Sequence, residues 1–275
     1  MEALEVVWFE EGDGVAVLEA GDPLCVIPGW ADIDRGIPGY SRDALRQSPF
    51  AFPLADEIDD LRPRIKRARD HWRVCSAEGS WADYQQSVLG HLLHRLGPGG
   101  QYWHDVGRQS PTVGVSERPA RKGREYSVLS TVGMSRQPMP GGSTRIELAM
   151  ATTIPSQGLG KLFAWIGPRP WRSVSSFASG DVVGWPRDGD PFPIPSREGV
   201  LLLDDPNLLE GPDVPDLGGL SQDGDDVRWL WMVPITAEEC RYATSEGTDA
   251  LIHRLTRQGR SWLVSDGTAS DEGTA

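Results

Sequence analysis

The sequence predicts an α+β protein with a mixed, mainly antiparallel sheet flanked by helices. Short β-branched and aromatic runs bounded by Gly, Pro and Asp recur along the chain. Longer segments carry apolar residues every three or four positions. The two kinds are interleaved without the regular strand–helix–strand alternation of a parallel α/β fold. With 275 residues, 39% hydrophobic and 24% charged, the chain is long and apolar enough to fold around a sizeable core.

Taken in order, Glu5 to Phe9, Val15 to Leu18 and Leu24 to Ile27 read as strands, separated by Gly12-Asp13-Gly14 and Gly21-Asp22-Pro23. Gly accepts positive φ and Asp bonds its own backbone, so both separators are turn signals. A loop from Pro28 to Pro53 follows, rich in Gly, Pro and aromatics. A first helix is expected with Asp60 as N-cap, Pro63 in the first turn and the stripe Ile58, Leu61, Ile65, Ala68, Trp72. Arg62, Lys66, Arg69 and Arg73 lie on its other side. A second starts at Ser80 with Asp83 in a capping-box position, buries Trp81, Tyr84, Val88, Leu89, Leu92, Leu93 and Leu96, and stops at Gly97-Pro98-Gly99-Gly100.

The period then changes to two. Tyr126 to Val132 alternates, and so does Arg145 to Ala151, with Ile146, Leu148 and Met150 on one face. Leu159 to Ile166 and Arg172 to Ala178 read as a helix broken at Gly167-Pro168 and Pro170. Strands follow at Val182 to Trp185 and Val200 to Leu203. Val227 to Ile235 is apolar on both faces except at Arg228, the pattern of a central strand covered on both sides. Thr236 caps a helix with Glu239 at its third position, and a last helix spans Thr248 to Gln258. The expected organisation is an N-terminal β-rich segment over 1–56, an α+β domain over 57–260 and a disordered acidic tail over 261–275.

Charge excludes some functions. The chain has 40 acidic and 27 basic residues, a formal charge of −13, the wrong sign for neutralising nucleic-acid phosphates. No apolar run approaches a membrane span. Met1 to Glu5 has no secretory pattern, and three widely spaced cysteines (Cys25, Cys75, Cys240) offer no disulfide framework, so the cytoplasm is the expected compartment. The charge is also segregated. Leu201 to Asp226 holds eight acids and no base, whereas Leu61 to Arg73 holds six bases and one acid. A charge run usually marks a solvated face. The acidic stretch, however, adjoins a strand and Trp229 and Trp231, and acid beside aromatic suits a basic protein partner.

Catalytic and cofactor motifs fail on inspection. Gly158-Leu159-Gly160-Lys161-Leu162 lacks the Gly and the Ser/Thr that a phosphate loop needs where Pro155 and Leu162 stand. His91 and His94 share no obvious third and fourth metal ligand. Cys75 has His71 one turn earlier but no orienting third group. Gly133-Met134-Ser135-Arg136 is not a nucleophile elbow. No cofactor, metal or enzymatic activity is expected.

Several ordered segments carry a family resemblance. Ser130-Thr131-Val132-Gly133-Met134-Ser135, Arg145-Ile146-Glu147-Leu148 and the broken helix around Trp165 to Phe177 resemble the suppressor-of-fused family. So do Gly199-Val200-Leu201-Leu202-Leu203-Asp204-Asp205-Pro206 and the run from Trp229 through Pro234-Ile235-Thr236 to Glu239. The likeness covers about Glu125 to Arg257. Val26 to Trp30, Pro38-Gly39-Tyr40 and Phe52-Pro53-Leu54 resemble longer bacterial members. The resemblance implies a non-enzymatic α+β binding domain. Animal members hold Hedgehog-pathway transcription factors by adding a peptide strand to their sheet, and bacterial relatives are proposed as immunity proteins against toxins. The second domain and disordered insert of animal members are not seen, so an immunity-like role is the expectation.

The expected function is therefore capture of a protein or peptide partner, basic in character, with no nucleic acid and no membrane involved. Asp204, Asp205, Trp229 and Trp231 are the candidate contact residues, although both tryptophans also read as core. The alternatives are an enzyme or small-molecule-binding protein with a pocket under the Pro28 to Pro53 loop, lined by Trp30, Tyr40 and Phe52, and a metal site at His91 and His94.

Overall fold

The computed structural model describes residues 3–32, 35–104, 111–142, 144–186 and 191–265. Of the expected tail over 261–275, residues 266–275 lie outside them, whereas Trp262 and Val264 are buried and bonded to Glu210 and Ala151. The chain forms two compact units. One comprises Met1–Tyr84, Gln137–Ser143 and Arg169–Ser176, and the other Gln85–Arg136, Thr144–Pro168 and Phe177–Ala275.

In the first unit β1 (Leu4–Trp8), β2 (Val15–Glu19), β3 (Asp22–Ile27), β4 (Tyr40–Ser41) and β5 (Phe52–Pro53) pair in sequence order. All pairs are antiparallel except β4 with β5. Alternation puts Val7, Phe9, Ala16, Leu18 and Val26 on one face, where they join Leu61, Ile65 and Ala68 of α1 (Ile58–Cys75) in a single core. Burying each Val, Leu, Ile or Phe contributes about 1.5–3 kcal/mol. The predicted stripe of α1 is the buried one. Its start differs, because the helix begins at Ile58 after a 3-10 turn over Leu54–Asp56. Asp59 and Asp60 then lie inside the first turn, where the helix dipole favours acids, and Pro63 lies beyond it.

α2 (Ser80–Leu96) has the predicted bounds, but Leu93 faces solvent and the buried stripe narrows to Tyr84, Val88, Leu92 and Leu96. The second unit's sheet contains β6 (Tyr102–His104), β7 (Gly114–Arg118), β8 (Ser127–Val132), β9 (Arg145–Thr152), β10 (Val182–Gly184), β11 (Gly199–Leu203), β12 (Ser221–Gln222) and β13 (Asp225–Ile235). Its order is β10-β11-β13-β9-β8-β7-β6, with β12 beside β13 and one parallel pair, β13 with β9. This is the mixed, mainly antiparallel architecture predicted. α3 (Leu159–Ile166), α5 (Ala237–Glu246) and α6 (Thr248–Arg257) complete the unit, while α4 (Arg169–Arg172) belongs to the first. The expected helix over Arg172 to Ala178 is absent, because Val174 leaves helical geometry at φ 47°.

Alternation on Arg145 to Ala151 predicts a strand with one buried face, yet every residue of β9 is buried. Glu147 survives there because its carboxylate accepts from the Gly133 amide (3.1 Å), the Ser135 amide (2.9 Å) and hydroxyl (2.8 Å), and the Thr131 hydroxyl. Arg145 donates to the carbonyls of Ser135 and Arg136 and to Asp223 and Asp225. A buried charge must be satisfied in this way or it destabilises the fold. The two charged residues between them hold the turn after β8.

Candidate strand-docking edge

β10 is the terminal strand of the second unit's sheet, next to β11. Its Val182-Val183 pair suits an extended backbone. The ladder phase follows from its flanks. The Leu202 amide donates to the Asp181 carbonyl (2.9 Å), and the Trp185 amide donates to the Glu198 carbonyl (2.8 Å). The Asp181 carbonyl, Val183 and the Trp185 amide therefore face β11, while the Asp181 amide turns back to the Ala178 carbonyl (3.2 Å), and Val182 and Gly184 direct their backbone groups away from the sheet. Gly184 is exposed, and a Cβ there would meet open space.

Acids gather at one end of this edge. Asp181 accepts from the Ala178 amide (2.8 Å) and so closes the turn before β10. Asp204, just past β11, accepts from the Ser179 hydroxyl (2.6 Å), and its amide donates back to that oxygen (3.1 Å). Asp205 caps the 3-10 turn Pro206–Leu208 by accepting from the Asn207 amide (3.1 Å). The partners of all three are hydroxyl and amide donors. Among the described residues no arginine or lysine opposes Asp181, Asp204 or Asp205.

Aromatics gather at the other end. Trp185 follows β10 directly, with its ring centroid 4.7 Å from Trp165 of α3 and 5.5 Å from Phe192. All three are half-buried. Among the described residues no strand pairs with the outward side of β10, so its backbone edge runs from an acidic end to an aromatic one. The chemistry that fits is backbone pairing with an extended peptide whose basic and apolar side chains reach opposite ends.

The four residues expected from the sequence are placed unequally. Asp204 and Asp205 are exposed at the acidic end, whereas Trp229 and Trp231 are core residues at 7% and 3% exposure. Trp231 packs edge-on against Trp262 at 5.3 Å, and Trp229 stacks parallel to His91 at 6.4 Å. Register brings Leu203 beside Trp231, so the aspartates lie at the end of the strand that covers it. Sequence reasoning missed Asp181, Gly184, Trp165, Trp185 and Phe192. The usable signal was Ser179-Gly180-Asp181 ahead of a short strand ending in Gly and Trp, but which strand is terminal is a property of the sheet.

The other candidates are also placed. His91 donates to the Leu217 carbonyl (2.9 Å) and His94 is exposed; no group of three or more His, Cys, Asp or Glu converges among the described residues. Cys75 lies 3.5 Å from His71. Burial, aided by Glu239 and Glu198, pushes the Cys240 thiol up, so it stays protonated. Trp30, Tyr40 and Phe52 do meet, with centroids 5.7–6.5 Å apart. Among the described residues no helix is long and apolar enough to cross a membrane.

Among curated proteins none matches the chain. A solved homolog of suppressor of fused from Neisseria gonorrhoeae FA 1090 is 18% identical, with 66% of this chain and 93% of that one covered and a TM-score of 0.49. The Sufu-Fu complex gives 15% identity, 68% and 91% coverage and 0.47. Drosophila Suppressor of Fused gives 15% identity, 67% and 49% coverage and 0.44. The family model for suppressor of fused protein matches residues 109–267, more than half of the sequence and nearly all of the larger sheet. The chain belongs to the suppressor of fused family.

Proposed function

We propose that this protein is a non-enzymatic binding domain that captures an extended peptide strand on the open edge of β10. The observation that carries the reading is the edge itself, a terminal strand with outward backbone groups at Val182 and Gly184 between an acidic and an aromatic end. Asp204 and Asp205, with Asp181, receive basic side chains of the partner; Trp165, Trp185 and Phe192 receive apolar ones. Trp229 and Trp231 support the edge from within rather than touching the partner first. A bacterial member built this way acts as an immunity-like protein, in the cytoplasm, that neutralises a toxin by holding one of its strands.

The experiment is a binding titration against the products of neighbouring genes. Val182→Pro deletes an outward amide while leaving the β11 ladder intact, and is expected to weaken binding about tenfold. Asp204→Asn with Asp205→Asn keeps both turn-forming acceptors, so it is expected to lower affinity without lowering stability. Unchanged affinity in both variants would remove the site. Failure to bind any protein, together with turnover or tight binding of a small molecule, would remove the function.

A further inference from the structure

Among the described residues the first sheet also ends on an unpaired strand, β1, and there the exposed side chains are apolar. Leu4, Val6 and Trp8 of β1 are 61%, 58% and 57% exposed, while Val7 and Phe9 on the opposite face are buried against α1. The outward row continues across β2 and β3 through Val15, Val17, Cys25 and Ile27, with Glu19 beside Leu4 neutralised by Arg42. The Phe9 amide donates to the Gly14 carbonyl (2.9 Å), which puts Val7 and Glu5 in the pairs bonded to β2. Leu4, Val6 and Trp8 therefore point their N–H and C=O groups away from the sheet. The Trp8 carbonyl, which accepts from the Trp72 indole N–H (2.8 Å), agrees with that phase. The bare side chains and the open backbone groups belong to the same three residues.

Natural edges are usually guarded by lysine, proline or inward-pointing charge. The one charged residue of β1, Glu5, points to the covered face, but its charge is matched by Arg69 of the same unit and so is not left bare to repel a second strand. Trp72 occupies one lone pair of one carbonyl, and a carbonyl has two. Read antiparallel against itself about Val6, the strand Leu4-Glu5-Val6-Val7-Trp8 is self-complementary. Val6 meets Val6, Leu4 meets Trp8, and Glu5 faces Val7 rather than a second Glu5. Centring the pairing on Glu5 would oppose two carboxylates.

We propose that a second copy of this chain occupies this edge, pairing β1 with β1 antiparallel about a two-fold axis through Val6. Such an isologous contact closes after two copies. The apolar row offers on the order of 400 Å² per copy, below the ~800 Å² per partner of a standard stable interface, so the dimer is weak, in the micromolar range.

Sedimentation equilibrium of the full chain from about 1 to about 200 µM tests this. The expected result is a monomer–dimer equilibrium that tightens as salt rises, because two copies of charge −13 repel and the contact is apolar. Val6→Lys places two ammonium groups on the axis, and Val6→Pro removes the axial amide. Both are expected to give monomer throughout with an unchanged circular dichroism spectrum, while Val182→Pro on the other sheet leaves the dimer intact. Should Val6→Pro fold poorly, Val6→Lys decides. A wild-type monomer over the whole range, or a dimer that survives Val6→Lys, overturns the proposal.

Discussion

Val174 holds a left-handed backbone at φ 47°, a conformation that costs a β-branched residue about 1–2 kcal/mol. It follows α4, where the Ser175 amide returns to the Pro170 carbonyl (2.9 Å), the long bond of a helix terminus that favours Gly. Val174→Gly is therefore expected to stabilise the fold by about 0.5–1 kcal/mol after Gly's extra freedom in the unfolded chain, read from a shifted denaturation midpoint. Glu147 makes the opposite case. Glu147→Ala strands four donors in the core and is expected to cost about 3–5 kcal/mol, whereas Glu147→Gln keeps an acceptor oxygen and costs less than half of that. Glu10 supplies the pH dependence. Burial raises its carboxyl above the ordinary 4.5, and the Arg67 contact only partly offsets this. The folded state thus disfavours the ionised form. The resulting penalty is present above the raised folded value and fades as pH falls through it toward 4.5. Glu10→Gln is expected to match or exceed wild-type stability at pH 7, with the gap shrinking toward pH 4, in parallel thermal melts.

At the scale of elements, local chemistry decided starts and faces where side chains act on their own backbone. Thr236 and Glu239 form the predicted reciprocal box at the head of α5, with amide–oxygen distances of 3.1 and 2.7 Å. Thr236→Ala is expected to cost about 1 kcal/mol in chemical denaturation. The stripe of α1 and the two-faced burial of β13 were likewise legible, because periods of 3.6 and 2 report which side of an element is covered. The burial of Arg145 and Glu147 was not. A polar residue at alternate positions looks the same whether it faces water or a set of buried donors, and those donors come from the turn after β8. The start of α1 was misjudged because the 3-10 turn that leads into it leaves no distinct pattern.

For the whole molecule, the charge of −13 divides by use. On α1, Arg62 pairs with Asp22, Arg64 with Glu11 and Asp13, Arg67 with Glu10 and Arg69 with Glu5. The basic run is thus largely matched by the acids of its own sheet. In the acidic run, Asp216 pairs with Arg95, and Asp223 and Asp225 with Arg145, while Asp204 and Asp205 keep partners that carry no charge. Capture of a basic strand at β10 is therefore expected to weaken steadily between 50 and 500 mM salt, roughly a several-fold loss by titration calorimetry. Pairing of two copies through β1 is expected to strengthen over the same range. The sequence by itself determined the fold class, the longer helices and the longest strands, the exposed aspartates and the family, since all of these rest on periodicity and on short ordered motifs. Only the tertiary structure decided which strands are terminal, which charges are matched within each unit and where the two tryptophans face. Those depend on partners brought together from distant positions, and no local pattern encodes them.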